Sequence, residues 1–348
     1  MNIRTTQQLV KKSVSLLLAA GFLVSGFHVS AANNKDKLET RYSVMSMKAH
    51  TSLLTDVIVI GEKLVVVGER GHILHSSDHG QTWKQAKVPT QNLLTSVYFS
   101  SPMKGWAVGH EAVVLHTSDG GENWVTQFGD PYDKTAEIDY DVPDRSGQPL
   151  LDVWFKNDNE GFAVGAYGRF IYTKDGGETW VDYSEKIDNI DGWHLNAIAS
   201  ADGKTVYIAG ESGTLFRSSN GGSSWKRLES PYEGSYFGIV TGPGANEVLV
   251  FGLQGHIFRS GDRGNSWVEI HTDNNNGLMA GTLIGYRGVV LVGNSGVIMS
   301  SSDDGNSFVK QTTADRQSLV GIATTKKNKL IMVGKNGVKI AMPNVNHK

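Results

Sequence analysis

An aspartate set among hydroxyl groups, glycines and a tryptophan makes the stretch HTSDGGENW (116–124) look like a catalytic loop. Such a carboxylate can move a proton in a reaction, or it can accept hydrogen bonds from the backbone of a turn. Near-copies of the stretch recur at 75–83, 172–180, 217–225, 259–267 and 300–308. One active site does not need six copies in a chain, so the repetition predicts that Asp119 holds a turn.

This nine-residue stretch, called the Asp turn below, has the residue types that a tight turn requires. Thr117 and Asp119 can accept hydrogen bonds from backbone N–H groups, Gly121 permits positive φ, and Trp124 can bury its ring. The fourth copy carries Asn220, whose amide can cap a turn but cannot act as a carboxylate base. The equivalent polar residues are Asp78, Asp119, Asp175, Asn220, Asp262 and Asp303, and the equivalent aromatic residues are Trp83, Trp124, Trp180, Trp225, Trp267 and Phe308.

A second repeated motif precedes each Asp turn and predicts the fold. It reads WAVGHEAVVLHT in the second unit, and a seventh copy at 331–342 has no Asp turn after it. Its leading glycines are Gly68, Gly109, Gly165, Gly210, Gly252, Gly293 and Gly334, spaced by 41, 56, 45, 42, 41 and 41 residues. Each unit contains four short apolar or alternating runs, which is typical of a β-propeller blade. We therefore predict an all-β, seven-bladed β-propeller over 40–342.

The ends of the chain have separate expected roles. The seventh unit lacks an outer strand, and TRYSVMSMKA (40–49) has strand character without a unit of its own. We expect this N-terminal strand to complete the seventh blade and close the ring, which would hide an open sheet edge. Residues 32–39 are expected to be a short linker and 343–348 a C-terminal tail.

The first 31 residues have the pattern of a signal peptide. Arg4, Lys11 and Lys12 precede an apolar run, and small residues suit cleavage after Ala31 or Ala32. Cleavage would move the formal net charge from −2 to −5, which disfavours nucleic acid as a partner. There is no cysteine, so no disulfide can form. We predict an exported, periplasmic monomer that reaches a membrane surface only through its partner.

The repeats also resemble those of known proteins. The Asp turn, written S/T-x-D-x-G-x-T/S/N-W, is similar to the Asp-box, or BNR, repeat of sialidases and other propellers. With the V-G-x-x-G-x-[VIL] hairpins and seven units over residues 40–342, the chain resembles the photosystem II stability and assembly factor family. The resemblance implies a propeller without catalysis or cofactors that binds newly made membrane-protein subunits. It also implies an arginine-rich patch.

A binding site is expected on one face of the propeller. The loops joining second to third strands and the links between blades form this upper face, whereas the Asp turns lie on the opposite face. Varied polar residues on a repeated frame suit binding. The acidic insertion at 129–149 could bind a partner, hold calcium or magnesium, or be a plain solvated loop. The expected partner-binding residues are Arg70, His110, Glu111, Tyr167, Arg169, Trp193, Tyr132 and Tyr140.

The innermost strands begin at aligned residues that should line the central channel, among them Asp56, Asp152 and Asn196. Asp56 and Asp152 could be paired carboxylates for glycoside chemistry, so a sialidase-like glycoside hydrolase is the alternative function. The arginine triad of sialidases is missing from the aligned positions. Tyr167 and Trp193 keep a carbohydrate-binding module as a third candidate. The sequence favours a non-catalytic protein-binding propeller without a metal or cofactor, which assists a membrane-associated complex.

Overall fold

Seven antiparallel sheets follow one another along the chain, and each is built from one repeated unit of the sequence. The computed structural model describes residues 40–131, 147–242 and 246–342, which belong to one compact unit beginning at Thr40. The predicted signal peptide, linker and C-terminal tail lie outside the described residues. The prediction of an all-β, seven-bladed propeller is confirmed.

Within the described residues, blades 1 to 6 have four strands each and blade 7 has three, and neighbouring strands in every blade are consecutive in the chain.

Blade 1 contains β1 (Leu54–Ile60), β2 (Lys63–Gly68), β3 (Ile73–Ser76) and β4 (Lys84–Gln85). Blade 2 contains β5 (Leu94–Phe99), β6 (Gly105–Gly109), β7 (Val114–Thr117) and β8 (Val125–Phe128). Blade 3 contains β9 (Leu150–Phe155), β10 (Gly161–Gly165), β11 (Phe170–Thr173) and β12 (Val181–Asp182). Blade 4 contains β13 (Leu195–Ser200), β14 (Val206–Gly210), β15 (Leu215–Ser218) and β16 (Lys226–Arg227).

Blade 5 contains β17 (Tyr236–Thr241), β18 (Val248–Gly252), β19 (Ile257–Ser260) and β20 (Val268–Glu269). Blade 6 contains β21 (Leu278–Ile284), β22 (Gly288–Gly293), β23 (Val297–Ser301) and β24 (Val309–Thr312). Blade 7 contains β25 (Leu319–Thr324), β26 (Leu330–Gly334) and β27 (Gly337–Ala341).

The second strand of each blade is apolar along its length because both faces of its sheet are covered by neighbouring blades. In GWAVG (β6) and GFAVG (β10) every residue is buried. The glycine that ends this strand meets the backbone of the first strand: a Cβ on Gly109 would lie 2.2 Å from the Leu93 carbonyl oxygen. Glycine recurs at this position because any side chain there would clash with the backbone of the first strand.

The core is divided into clusters that lie between adjacent blades. Between blades 2 and 3, for example, Trp106 stacks on Phe155 with ring centroids 3.5 Å apart. In five of these clusters the aromatic residue of an Asp turn packs with an apolar residue of the preceding blade's outer edge. Burial between blades, rather than within one sheet, is what holds the ring together.

The short helical segments of the described chain are three-residue 3-10 turns. Five of them join second and third strands on the upper face, and two others lie at Ala49–Thr51 and Ser184–Lys186. The five upper turns are Glu69–Gly71, His110–Ala112, Ala166–Gly168, Leu253–Gly255 and Asn294–Gly296. In this part of the chain no helix has the length and apolar character needed to cross a membrane.

Ring closure by an N-terminal strand is not confirmed. Blade 7 has three described strands, and residues 40–48 form none. The Ser43 N–H instead donates to the Val88 carbonyl of blade 1 at 2.8 Å, and the side chain of Gln85 bonds the backbone of Val44 and Ser46. Blade 7 meets blade 1 through β25 packed against β1, as the other first strands pack on one another.

The third strand of blade 7 is also shifted in register. Motif alignment places Lys339 at the position of Ile298, which lies opposite Val292 in blade 6. In blade 7, however, Val338 lies opposite Val333, the equivalent of Val292. The shift keeps a lysine charge out of an apolar site, where burial without a partner is costly. Lys339 pairs with Asp315 instead.

Candidate functional site

Six turns of the upper face hold different side chains on the same backbone conformation. The middle residue of each turn has φ near +55°, in the left-handed region that residues other than glycine seldom adopt. The turns therefore fix where each side chain starts, whatever its chemistry. These residues are Arg70 (φ 56°), Glu111 (φ 56°), Tyr167 (φ 53°), Ser212 (φ 50°), Gln254 (φ 56°) and Ser295 (φ 57°).

One group of accessible side chains lies where blades 3 and 4 meet. Tyr167 is 52% exposed, and its ring meets the His194 ring edge-on, with centroids 4.9 Å apart. His194 Nδ1 lies 3.9 Å from Glu211 Oε2, and its backbone N–H donates to the same oxygen at 3.3 Å. The group therefore offers an aromatic surface, an imidazole and a carboxylate to a ligand from the solvent side.

Trp193 belongs to a clamped loop beside this group. Asn189 Oδ1 accepts a hydrogen bond from Trp193 N at 3.1 Å, and Asn189 Nδ2 donates to Trp193 O at 2.9 Å. Trp193 itself is half-buried. At the loop tip Ile190 is 92% exposed, between the exposed acids Asp188 and Asp191. Sequence reasoning missed Asn189 and Ile190, although the N-x-x-G-W spacing contains a residue type that closes such rings.

Arg169 does not belong to the accessible set, contrary to expectation. Its side chain is 10% exposed, its Nη1 lies 2.6 Å from Asp130 Oδ2, and its guanidinium lies 5.7 Å from the Phe128 ring centroid. The long side chain runs inward because a paired guanidinium can cover an aromatic ring while its charge stays compensated. Arg169 thus ties blade 3 to the outer edge of blade 2.

The other expected contact residues lie on blades 1 and 2 of the same face. Arg70, His110 and Glu111 are exposed. The Arg70 carbonyl accepts from Ser43 Oγ at 2.9 Å, and Glu111 Oε2 accepts from Asn92 Nδ2 at 3.2 Å. Tyr132 and Tyr140 lie outside the described residues.

Two carboxylates at the mouth of the central channel are joined by a serine. Ser96 Oγ lies 3.1 Å from Asp56 Oδ2 and 2.8 Å from Asp152 Oδ1. Each aspartate also accepts a hydrogen bond from the next blade along: Asp56 from Val97 N at 2.9 Å, and Asp152 from Ile198 N at 2.8 Å. The mouth encloses about 180 Å³ and includes the small residues Gly238, Ala280 and Gly281.

Asn196 lines this mouth, but it is not the equivalent of the two aspartates. The first strands contain a bulge, and Ala197, not Asn196, pairs with the second strand as Asp56 and Asp152 do. An insertion between blades 3 and 4 obscured this one-residue offset in the sequence. Asn196 Nδ2 donates to the Tyr236 carbonyl of the next blade at 2.8 Å. The Thr55 hydroxyl makes the equivalent bond between blades 1 and 2, to the Leu94 carbonyl at 2.6 Å.

The environment of the channel carboxylates favours their protonated forms. Burial raises the pKa of Asp56 to about 7, with a further increase from the nearby Asp152, and burial raises the pKa of Asp152 to about 6. A serine hydroxyl has one proton and can donate it to only one of the two carboxylates. The other contact requires a carboxylic acid proton, so the geometry also favours one shared proton.

The Asp turns form closed hydrogen-bonded rings. In blade 2 the Thr117 hydroxyl donates to Asp119 Oδ1 at 2.8 Å, and that oxygen accepts from Asn123 N at 3.0 Å. Asn220 makes the same bonds through its amide oxygen, to Ser218 Oγ and Ser224 N, both at 2.9 Å. Hydrogen bonds, led by that from the Thr179 hydroxyl, hold the pKa of Asp175 at about 2. Such carboxylates stay ionised and occupied by the turn.

Residues 40–131, 147–242 and 246–342 contain no cluster of side chains that could bind a metal ion. No group of three or more His, Asp or Glu side chains there is arranged to hold an ion. His75 and His116 lie on third strands beside Asp turns, and burial lowers the pKa of both.

The sequence also matches a known protein family. The family model described as "Photosynthesis system II assembly factor YCF48" matches residues 81–144 and 134–285, together more than half of the chain. A curated relative, the photosystem II assembly lipoprotein Ycf48 of Synechococcus sp. (strain CC9902), is 37% identical over 78 residues. That match spans 22% of this chain and 23% of the relative.

Solved structures share the fold at low sequence identity. YCF48 bound to D1 peptide is similar with a TM-score of 0.66 and 17% identity, over 85% of this chain and 95% of that one. A streptogramin B lyase is similar with a TM-score of 0.68 and 15% identity, over 87% and 97%. The fold alone therefore does not separate a binding protein from an enzyme. The extent of the family match decides the family: the chain belongs to the photosystem II assembly factor YCF48 family.

Proposed function

We propose that this protein is an exported, non-catalytic propeller that binds a protein partner through its upper face. The partner is a subunit of a membrane-associated complex whose assembly or stability the propeller assists. The observation that carries the proposal is the accessible group of Tyr167, His194 and Glu211 on rigid turns between blades 3 and 4. Aromatic and polar side chains on a preorganised frame bind with little ordering cost.

The related proteins support the class of partner. The curated relative is named as a photosystem II assembly lipoprotein, and the solved relative is bound to a D1 peptide. Both names favour recognition of a segment of a membrane-complex subunit. On this basis we infer export to the periplasm and action as a monomer that approaches the membrane through its partner.

The chemistry of the contact differs from an arginine-rich patch. Arg70 is exposed, whereas Arg169 is paired with Asp130 and buried. Exposed acids accompany the aromatic side chains, as at Glu111 and Asp191. We therefore expect a partner segment that combines a lysine or arginine with an apolar or aromatic side chain.

Glycoside hydrolysis fits the channel less well. Asp56 and Asp152 already accept backbone N–H groups from neighbouring blades. The residues that line the described channel mouth include no arginine to bind a sugar carboxylate. These carboxylates are better suited to joining blades.

A retention experiment tests the proposal. Full-length tagged protein would be incubated with solubilised envelope of the source organism, beside a Tyr167→Ala/Glu211→Gln double variant. Tyr286→Ala is the matched control, because Tyr286 is 91% exposed and lies on the Asp-turn face, beside Asp304. We expect one membrane protein to be retained by wild type and control and at least tenfold less by the double variant. Equal retention by all three proteins would refute the proposed face.

A further inference from the structure

Blade 1 holds a segment of its own chain in a groove between its upper turn and its outer strand. Residues 42–46 lie in this groove without regular secondary structure, and Ser43 among them is buried. The Ser43 N–H donates to the Val88 carbonyl at 2.8 Å, and the Ser43 hydroxyl donates to the Arg70 carbonyl at 2.9 Å. Two carbonyl groups of the blade therefore fix one small polar residue of the segment.

Side-chain amides of blade 1 complete the binding of this segment. Gln85 Nε2 donates to the Val44 carbonyl at 3.0 Å, and Gln85 Oε1 accepts from the Ser46 N–H at 2.8 Å. Gln91 Nε2 donates to the Tyr42 carbonyl at 2.8 Å. These bonds are made to the backbone of the segment, so the groove of blade 1 recognises a chain path more than a set of side chains.

Blade 5 repeats this part of blade 1 residue for residue. Residues 68–96 align with residues 252–280 without a gap. The backbone agrees with the alignment: the N–H groups of Ala86 and Ile270 both donate at 2.9 Å to the carbonyl of the first residue in the third strand of their blade. A groove of the same backbone shape is therefore expected in blade 5.

A histidine beside the groove is common to these two blades. His72 and His256 precede the third strand, and the other five copies of the motif have no histidine at this position. His72 hydrogen-bonds the Val44 backbone. His256 Nδ1 lies 2.7 Å from Oε1 of Glu269, and Glu269 is the equivalent of Gln85. Blade 5 thus has hydrogen-bonding side chains at the two positions with which blade 1 holds Val44.

The groove of blade 5 holds no other segment of the described chain. A cavity of about 420 Å³ lies there, lined by the equivalents of residues 70–72, 85–88, 90 and 91. Val88 is fully buried, whereas its equivalent Thr272 is partly exposed. Within the described residues, no donor from another segment bonds the Gln254 or Thr272 carbonyl. These two carbonyls are the equivalents of the pair that binds Ser43.

We propose that the blade 5 groove binds a segment of another protein in the way that blade 1 binds residues 42–46. A serine or threonine of that segment takes the place of Ser43. Its N–H donates to the Thr272 carbonyl, and its hydroxyl donates to the Gln254 carbonyl. Glu269 accepts the N–H three residues further along the segment. Backbone bonds supply affinity, and the site for a small hydroxyl side chain supplies selectivity.

The charges of the two grooves differ and indicate the character of the segment. Where blade 1 has Arg70, Gln85, Lys87 and Pro89, blade 5 has Gln254, Glu269, His271 and Asp273. The blade 5 groove is therefore the more acidic one, which favours a segment with a lysine or arginine beside the hydroxyl residue. Residues 42–46 of this chain are already bound by blade 1. The proposal does not depend on the function proposed above, because it rests on the repeat and involves neither Tyr167 nor Glu211.

A peptide whose fit the structure shows tests the groove. The probe is a fluorescein-labelled peptide with the sequence of residues 40–47 (TRYSVMSM), titrated with full-length protein and followed by fluorescence anisotropy. The matched probe is methylated on the Ser43 nitrogen, which removes the donor to the Thr272 carbonyl. We expect the unmodified peptide to bind at least tenfold more tightly. A benzophenone at the Tyr42 position should crosslink to residues 269–275.

Variants of the groove provide the second arm. Glu269→Ala removes an acceptor, so we expect at least a tenfold loss of peptide affinity. Glu269→Gln should bind the peptide nearly as well as wild type, because a glutamine accepts the same N–H in blade 1. Gln85→Ala is the matched control on blade 1 and should not weaken binding. If the Glu269→Ala variant fails to fold, the two peptides and the crosslink map still decide.

Three results would overturn the proposal. One is equal affinity for both peptides, or equal affinity of wild type and a folded Glu269→Ala variant. Another is crosslinking to residues 70–91 with weaker binding by Gln85→Ala, which would place the peptide in the blade 1 groove by exchange. The third is no peptide binding at millimolar protein, or a dimer in sedimentation that Glu269→Ala dissociates. In that case the groove does not serve another protein.

Discussion

Asp152 of blade 3 accepts a hydrogen bond from the backbone N–H of Ile198 in blade 4, at 2.8 Å. Asp56 makes the equivalent bond to Val97 between blades 1 and 2, and Ser96 joins the two carboxylates. Residues that could be taken for a catalytic pair are therefore links between blades. This arrangement predicts an unusual dependence of stability on pH.

We expect the channel carboxylates to make the fold less stable as pH rises from about 4 to about 7. The folded-state pKa values, about 7 for Asp56 and about 6 for Asp152, lie above the ordinary value of 3.8. The unfolded chain therefore releases these protons first, and each carboxylate lowers the free energy of unfolding by at most about 1.4 kcal/mol per pH unit in its window. Well below pH 4, where both the folded and the unfolded state are protonated, neither contributes a slope. Urea unfolding across this pH range measures the effect.

The pKa values of His72, His75 and His116 are lowered in the folded protein, so these histidines make the fold more stable as the pH rises. The variant Asp56→Asn isolates the opposite contribution of the carboxylate, because it leaves the histidines unchanged. The variant should flatten the slope between pH 4 and 7. At pH 4 it should be less stable than wild type by about 1–3 kcal/mol, since an amide cannot accept from both Val57 and Val97, and this difference should narrow as the pH rises to 7. A difference from wild type that does not change with pH would contradict the assignment.

The Asp turns should tolerate asparagine only where the partner is a hydroxyl. Asp303 bonds Ser307 through N–H and hydroxyl, as Asn220 bonds Ser224. Asp303→Asn should therefore be nearly neutral, because the Ser307 hydroxyl can turn to accept. Asp303→Ala should destabilise by about 1–2 kcal/mol through the loss of the turn bonds.

Asp119→Asn is the matched contrast, because Asp119 Oδ2 accepts from the Asn123 side-chain amide. Two amide groups would then face each other as donors unless one turns away. Thermal melting of the three variants should rank Asp303→Asn above Asp119→Asn. The reverse order would contradict the described ring.

Gln85 should hold the N-terminal segment on blade 1. Its side chain bonds Ser43 Oγ, the Val44 carbonyl and the Ser46 N–H. We expect Gln85→Ala to speed tryptic cleavage after Arg41 and Lys48 at least severalfold. Gln81→Ala is the control, because Gln81 is exposed and its backbone N–H, not its side chain, donates to Asp78 Oδ1. Unchanged cleavage in Gln85→Ala would show that the segment is held in another way.

The blades were predictable because each depends on local residue types. Gly109 is required by the approach of a carbonyl, and Asp119 by the bonds of a turn, so both recur at a fixed spacing. Relationships between segments were harder to predict. An insertion before blade 4 hid the one-residue offset of Asn196, and the pairing of Val338 with Val333 shifts the register of β27 from that expected by motif alignment.

The direction in which a side chain points also could not be predicted from the sequence. Arg169 was expected in solvent, but Asp130 and Phe128, which hold it inside, belong to the preceding blade. Residues 40–49 had strand character, yet the acceptors that hold Ser43 and Val44 are on blade 1. Such partners are set by the three-dimensional ring and not by the local pattern.

Site-specific photo-crosslinking in intact cells tests the central claim most directly. A photoreactive residue would replace Tyr167 on the upper face or, as the control, Tyr286 on the Asp-turn face, and captured proteins would be identified by mass spectrometry. The proposed function predicts that the Tyr167 position captures one membrane-complex subunit that the Tyr286 position does not. Capture of the same proteins from both positions, or of none by a folded and abundant protein, would contradict it.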